Sequence, residues 1–449
     1  MRSSSKSLRV AVSVAAAILC GSVHAVDLVG AYRGAVTHDP TLMSAERALQ
    51  AGREKAVQGR ALLLPQVGLS ASVNRVDNSS SDSTSPVSQL ISPQDRGSVR
   101  TTSLQVVQPL YDPKASAEKR QLTEQSAVAE VHHKAASQDL VQRVAESYFH
   151  LLLARDSLRV VQAEKAAVGT QRDRAKARFE VGRGRITEVQ ESQARYDAVL
   201  AREISAASTL AQREAQFKEL TGLPPQQLSG LKAGFVPVPP QPDSLEAWQQ
   251  RGADQNTRVA TRRHEIAISS AEADKYRLSA RPSVDLVGSH SWNRGGSLTP
   301  TAAPDKSRST AIGVQLTVPL YTGGAINSRL RESLAKREQS EFDLAAAQRD
   351  MRLQVQDAFL ATKSGAARVL SLEQSVVSAR TALEATALGR DVGTRTELDV
   401  LEAQQRLFAS QLELAQGRTD YLLGRVRLAA AAGELRENDL AELNAYLEP

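Results

Sequence analysis

A chain of 449 residues, 41% hydrophobic and 24% charged, carries only 7 Phe, 2 Trp and 8 Tyr, too few aromatics for several ordinary globular cores. No apolar run after residue 25 approaches the roughly 20 residues of a membrane helix, which excludes an α-helical membrane protein once the N-terminal segment is set aside. Its 56 Lys and Arg against 50 Asp and Glu give no case for nucleic acid as a partner, and an apolar share made mostly of Ala, Leu and Val suits long packed helices of coiled-coil type.

In chain order, the first element is a secretory signal. Arg2, Lys6 and Arg9 form a basic region, Val10 to Leu19 an apolar one, and Val23-His24-Ala25 a small-x-small cleavage site. Cleavage after Ala25 removes three basic and no acidic residues, so the formal charge falls from +6 to +3. Cys20 is the single cysteine and leaves with the signal, so the mature chain is expected to hold no disulfide and no thiolate metal site. Leu19 is too large for a lipoprotein reading of Cys20. The expected destination is the bacterial envelope.

The mature chain is one unit written twice. Asp27-Leu28 and Pro65 align with Ser244-Leu245 and Pro282 at an offset of 217, Pro109-Leu110-Tyr111 with Pro319-Leu320-Tyr321 at 210, and Val181-Gly182 with Val392-Gly393 at 211. Repeat 1 is placed at 26–223, a Pro-rich linker at 224–243, repeat 2 at 244–433, and a C-terminal equatorial segment at 434–449.

Each repeat reads helix, proline, strand, polar loop, strand, proline, long helix, Gly tip, helix. Strands are expected at about 66–76, 98–108, 283–292 and 309–318. Val67, Leu69, Ala71 and Val73 alternate with Gly68, Ser70, Ser72 and Asn74, and Ile312, Val314, Leu316 and Val318 alternate with Ala311, Gly313, Gln315 and Thr317. This period of two suits tilted strands with one face to lipid and one to a wet interior; a half-buried soluble sheet has the same pattern. Asp77 to Thr84 and Asn293 to Ser297 read as hairpin loops, expected to be extracellular. Four strands are too few to close a barrel, so a barrel would have to be shared between subunits.

Proline is absent between Pro113 and Pro224 and between Pro319 and Pro449, and a helix over 115–180 would run ~99 Å at 1.5 Å per residue. Its counterpart is expected over 325–389. Shorter helices are expected near 28–64, 186–221 and 396–432. Two short helices end to end match one long one in length, which makes four helical columns per chain.

With these elements in place the chain resembles the TolC-like outer-membrane efflux protein family over nearly its whole mature length. The resemblance rests on Phe179-Glu180-Val181-Gly182 with Ile186-Thr187-Glu188-Val189-Gln190, on Tyr196 to Ala201, on Val392-Gly393-Thr394-Arg395-Thr396-Glu397-Leu398-Asp399-Val400-Leu401-Glu402, and on Asn438-Asp439-Leu440. Gly222-Leu223-Pro224 and Pro319-Leu320-Tyr321-Thr322-Gly323-Gly324 also fit. The resemblance implies a mixed α/β membrane protein: a homotrimer whose long α-helical barrel crosses the periplasm and continues into a transmembrane β-barrel in the bacterial outer membrane. It further implies a channel that performs no covalent chemistry and needs no cofactor, working with a periplasmic adaptor (membrane fusion) protein and an inner-membrane transporter of ABC, RND or MFS type to export drugs or type I secreted proteins. Four strands and four columns per chain, counted without the family, agree with twelve of each in a trimer.

An envelope enzyme finds no support in the sequence, since no Gly-x-Ser-x-Gly occurs and the neighbours His132 and His133 point about 100° apart on a helix with no acid or Cys to complete a metal site. The alternative is an envelope coiled-coil structural or adaptor protein without a pore, which accounts for the helices but not for the paired strands.

The Gly-containing tips, 181–188 and 390–397, mark hairpin turns. Thr187 with Gln190, and Thr396 with Asp399, have capping-box spacing, and Arg395 with Asp399 the spacing of an i,i+4 pair, so local helix capping would account for these residues. The resemblance implies a periplasmic gate of Thr187 and Glu188 as acceptors and Arg395 as donor. Arg390 stands where the nearest relatives have a tyrosine, either strengthening the latch or solvated. Asp399 and Glu402 would form an acidic selectivity ring whose crowding raises carboxylate pKa values. Val181, Gly182, Val392 and Gly393 would be the adaptor-contact tips.

Overall fold

The computed structural model describes residues 26–78, 95–232, 234, 236–296 and 306–448. The signal segment and its Cys20, and residues 79–84 and 297 of the two expected loops, lie outside the described residues. In order, the elements are α1 (Leu28–His38), α2 (Pro40–Ala61), β1 (Gln66–Asn78), β2 (Asp95–Tyr111), α3 (Pro113–Glu180), α4 (Ile186–Thr221), α5 (Leu245–Gln255), α6 (Thr257–Leu278), β3 (Ser283–Gly296), β4 (Lys306–Thr317), α7 (Ala325–Asp391), α8 (Glu397–Ala432) and α9 (Glu437–Asn444).

The single helix expected near 28–64 is two helices. Pro40 pushes the preceding Asp39 out of the helical region, to ψ 114°, and Asp39 serves both sides of the break: its N–H donates to Ala35 O at 2.8 Å and its Oδ2 accepts from Leu42 N at 3.2 Å. The second repeat breaks at the matching Asn256 without a proline, held at ψ 125° while its Nδ2 donates to Ala431 O at 2.9 Å.

The chain forms two compact units. One comprises Met1–Ser44, Ala135–Asn256 and Arg349–Pro449. Its core joins Leu28, Ala31, Tyr148, Phe217, Tyr421 and Leu440, all fully buried. The fully buried Tyr148 satisfies its hydroxyl by donating to Val26 O and Ser229 O, both at 3.0 Å. Asn444 ties the C-terminal helix to the first one, accepting from Leu28 N at 3.0 Å and donating to Asp27 Oδ2 at 2.6 Å. The Pro-rich linker lies against these termini through bridges of Val26 with Leu228 and Leu231 with Leu447. Along α3 the buried residues Val161, Glu164, Val168, Gln171 and Ala175 recur at three and four, the spacing of a coiled-coil seam. Here α4 runs back along α3, with Arg202 donating to Glu164 at 2.6 Å and Lys165 to Glu203 at 2.5 Å.

The other unit comprises Ala45–Lys134 and Thr257–Gln348. Its helices α3 and α6 are joined by His264 with Glu124 at 2.8 Å and by Arg120 with Asp274 at 3.1 Å. Its sheet is antiparallel in the order β1-β2-β3-β4, which leaves β1 and β4 as edges. All four run further than alternation alone indicates, β4 by starting at Lys306 although it stops one residue short at Thr317, and β3 by taking in Asn293 to Gly296 of an expected loop, while β1 and β2 stay paired out to Asn78 with Asp95. Ladder hydrogen bonds continue past the point where apolar residues stop alternating. Pro109 is tolerated because β1 begins opposite Val107, so no β1 partner needs the missing N–H, and the β2–β3 register slips between Pro109 and Tyr111.

The register sorts the side chains into two faces. Leu69, Leu104, His290 and Thr310 form one row across all four strands, and Ala71, Thr102, Trp292 and Arg308 the next. Val67, Leu69, Val73, Ile312, Val314 and Leu316 share this face and are between 63% and 80% exposed. The opposite face carries Ser70, Ser103, Ser291 and Ser309 in one row, with Ser70 and Ser103 hydrogen-bonded at 2.7 Å. An apolar outer face and a small, polar inner face match the strands of a membrane barrel around a wet interior.

Candidate functional site

Both hairpin tips are built by the same backbone device. After α3, Gly182 takes φ +73° while its N–H donates to Phe179 O at 2.9 Å and that of Arg183 to Arg178 O at 2.8 Å. After α7, Gly393 takes φ +81°, with Gly393 N to Arg390 O at 3.0 Å and Thr394 N to Gly389 O at 2.8 Å. These are paired Schellman closures, which need a left-handed residue at the turn. The adjacent Val181 and Val392 are 70% and 68% exposed, an unusual cost for valine at a chain reversal.

The two tips restart their helices differently. Thr396 caps α8 as expected: its Oγ1 accepts from Asp399 N at 3.2 Å, while Asp399 Oδ2 accepts from Thr396 N at 2.7 Å. The corresponding box at Thr187 and Gln190 does not form. The N-cap of α4 lies two residues earlier, at Arg185, without a side-chain bond, and Glu188 N already donates to Arg185 O at 3.2 Å. Thr187 is therefore inside the first turn, exposed, with its hydroxyl free of capping duty.

Asp399 is taken up by Thr396, so the expected Arg395–Asp399 ion pair is absent. Hydrogen bonds from the Thr396 backbone and hydroxyl hold the Asp399 carboxyl below the usual carboxylate range, with the charges of Arg395 and Arg406 adding to this. Glu402 is exposed and lies 3.8 Å from Arg406 one turn on. It also borders a groove between α4 and α8 with Glu191, Arg195, Leu398, Leu401 and Gln405.

Arg390 is not solvated. Its Nη2 donates to Asp391 Oδ1 at 2.6 Å, and its Nη1 stands 3.6 Å from Glu397 Oε1. Glu397, only 8% exposed, also accepts from Arg178 Nη2 of α3 at 2.7 Å. One carboxylate thus holds an arginine from each long helix. Sequence reasoning gives neither Arg178 nor Glu397 a role at the tips. A signal existed: Arg178 continues the seam of Val168, Gln171 and Ala175, where a cation must find an acid on a facing helix. By contrast, Arg395, Thr187 and Glu188 make no hydrogen bond or ion pair with one another among the described residues, although all three lie at the tips.

Residues 31–223 and 248–434 match the family described as Outer membrane efflux protein, in two stretches that coincide with the two repeats. The chain belongs to this family. It is 32% identical to the outer membrane protein TolC of Vibrio cholerae over 446 residues, covering 99% of both chains. It is also 32% identical to the alkaline protease secretion protein AprF of Pseudomonas aeruginosa, covering 93% of this chain and 86% of that one. Among solved structures, the outer membrane protein VceC of Vibrio cholerae superposes with a TM-score of 0.75 at 20% identity, over 90% of this chain and 96% of that one. The CmeC outer membrane channel of Campylobacter jejuni gives 0.78 at 15%, over 93% and 89%. The efflux-protein fold, a helical tunnel joined to β-barrel strands, is the fold found here. Membership makes the chain an outer-membrane efflux channel of a bacterium, with its helices on the periplasmic side and its strands in the membrane.

Proposed function

We propose that three copies of the chain close one twelve-stranded barrel, each copy pairing its β4 edge with the β1 edge of the next, and that the helices form a tunnel closed at the hairpin tips. The open edges support this reading: an unpaired strand edge inside a membrane leaves backbone groups without partners, which costs several kcal/mol per group. In this assembly a periplasmic adaptor seats on the exposed tips at Val181, Gly182, Val392 and Gly393. An inner-membrane transporter of ABC, RND or MFS type delivers drugs or secreted proteins into the tunnel, as the relation to the protease secretion protein AprF suggests for a protein cargo.

The observation that carries the gate is Arg395, exposed and unpaired with Thr187 or Glu188 of its own chain. A donor at a tip that finds no acceptor at home is placed to find one on a neighbour, and Thr187 and Glu188 at the other tip are free to accept. Arg390 acts inside the chain by holding Glu397. Asp399 and Glu402, three residues apart on α8, supply the acidic ring. The test is Arg395→Ser in planar bilayers. Wild type should conduct poorly and the variant several-fold better, with cells admitting large antibiotics; unchanged conductance would leave the tip residues as helix caps only.

A further inference from the structure

On the apolar face of the sheet, the strand ends nearest the hairpins carry cations in register. Arg100 of β2 is directly opposite Arg294 of β3, and Arg294 is directly opposite Lys306 of β4, so three positive side chains form one row across three strands. Arg308 sits two residues inward, opposite Trp292, and Arg75 of β1 lies diagonally beyond the row. All five cations are exposed, and none pairs with an acid among the described residues. Like charges directly opposite in a sheet are destabilising, so three in succession require an anion to offset them.

Their position states which anion. Ile312, Val314 and Leu316 continue the same face of β4 inward from Arg308, an exposed apolar stretch of about 13 Å along the strand, and the charge of Arg308 begins about 26 Å from Leu316. Between the two zones stands Trp292, its ring edge-to-face with His290 at 4.3 Å, while His290 meets Thr310 Oγ1 at 2.6 Å. Apolar band, aromatic residue, then cations is the order in which a protein surface meets hydrocarbon, interface and headgroups. The opposite face has no such row: at the same level it carries Thr101, Asn293 and Ser307. A soluble polyanion would need the charges but not the adjoining apolar band.

We propose that Arg100, Arg294 and Lys306, flanked by Arg75 and Arg308, bind the phosphate groups of anionic lipids in the outer leaflet. The inference rests on the channel reading, which directs this face to lipid and the hairpin ends away from the periplasmic helices. Arginine is suited to the task because its planar fork grips phosphate oxygens in pairs, and three such donors in a row match a headgroup layer, where each cation adds to membrane attraction. The row also fixes how deep the barrel sits.

The experiment uses the full mature protein, purified in detergent and reconstituted into nanodiscs of phosphatidylcholine mixed with phosphatidylglycerol, with retained lipid counted by native mass spectrometry. Wild type should enrich phosphatidylglycerol over phosphatidylcholine, and R294Q with K306Q should lower that enrichment about tenfold, whereas R331Q on α7 leaves it unchanged. The charge-preserving R294K with K306R should keep most of it. Equal retention of both lipids by wild type overturns the proposal, as does displacement of the bound lipid by inorganic phosphate, which would make this a site for the free ion. Should the double glutamine variant fail to insert, wild-type selectivity and R100Q alone decide. A chain that conducts without selecting lipid sinks this proposal and leaves the channel standing, while a chain that never inserts sinks the channel reading itself.

Discussion

Arg178 Nη2 donates to Glu397 Oε2 at 2.7 Å, linking the end of one long helix to the start of the helix after the other. Glu397 is 8% exposed, and Arg390 stands 3.6 Å from its second oxygen, so the carboxylate is a clasp between two hairpins of one chain. Glu397→Gln keeps the shape and removes the charge that both arginines face. It should destabilise the tip by roughly 1 to 3 kcal/mol and raise single-channel conductance even with Arg395 intact. Combining it with Arg395→Ser should raise conductance further than either change alone; a double variant no more open than Arg395→Ser would confine Glu397 to folding.

The acidic ring can be separated from helix capping. Asp399→Ala would also remove the cap partner of Thr396, so Asp399→Asn with Glu402→Gln is the cleaner pair, since both retain an acceptor. Cation preference and block by trivalent cations should fall several-fold while the hairpin stays folded. Because the Asp399 pKa is lowered by Thr396, its charge persists as the solution is acidified and is lost only below the ordinary aspartate value of about 3.9. Cation preference should therefore survive mild acid; its loss near pH 6 would show that another group sets selectivity.

Side-chain alternation in the sheet makes a paired test. Val314→Arg or Leu316→Arg places a cation on the apolar face and should cost about 2 to 4 kcal/mol near the bilayer midplane, seen as reduced insertion into outer membranes. Gln315→Arg, on the other face, should insert normally. Equal tolerance at neighbouring positions would take this sheet out of the membrane.

Asp39, 4% exposed, accepts from Arg143 Nη2 at 2.7 Å. Burial pushes its pKa up, but the hydrogen bond and charge of Arg143 and the N–H groups of Leu42 and Thr41 outweigh this and leave it lowered. A lowered folded pKa contributes stability that is present above the unfolded value of about 3.9 and is lost as pH falls through the folded one. Wild type should therefore lose stability below about pH 4, and Asp39→Asn should flatten that acid limb of the unfolding curve. Arg143→Met leaves a buried carboxylate without its counter-charge and should cost about 3 kcal/mol at neutral pH by thermal unfolding.

Much of the architecture was legible in residue order alone because it depends on local rules. Glycines at 182 and 393 fall where a left-handed turn is needed, prolines bracket the helices, and the period of two at Val67 to Val73 marks a strand whatever it packs against. The duplicated pattern supplied the four strands and the paired helices in the same way. Proximity could not be obtained so. Arg178 and Glu397 are 219 positions apart and meet only because two long helices align their ends. Whether Thr187 caps a helix depended on where α4 begins, a matter of two residues that backbone bonding at Arg185 decides. The cationic row of Arg100, Arg294 and Lys306 likewise exists only through strand register, since three exposed basic residues in separate segments carry no mark in the sequence that they lie side by side. Local conformation is encoded in neighbours along the chain, whereas the partners of a charge are chosen by the packing of segments distant from it.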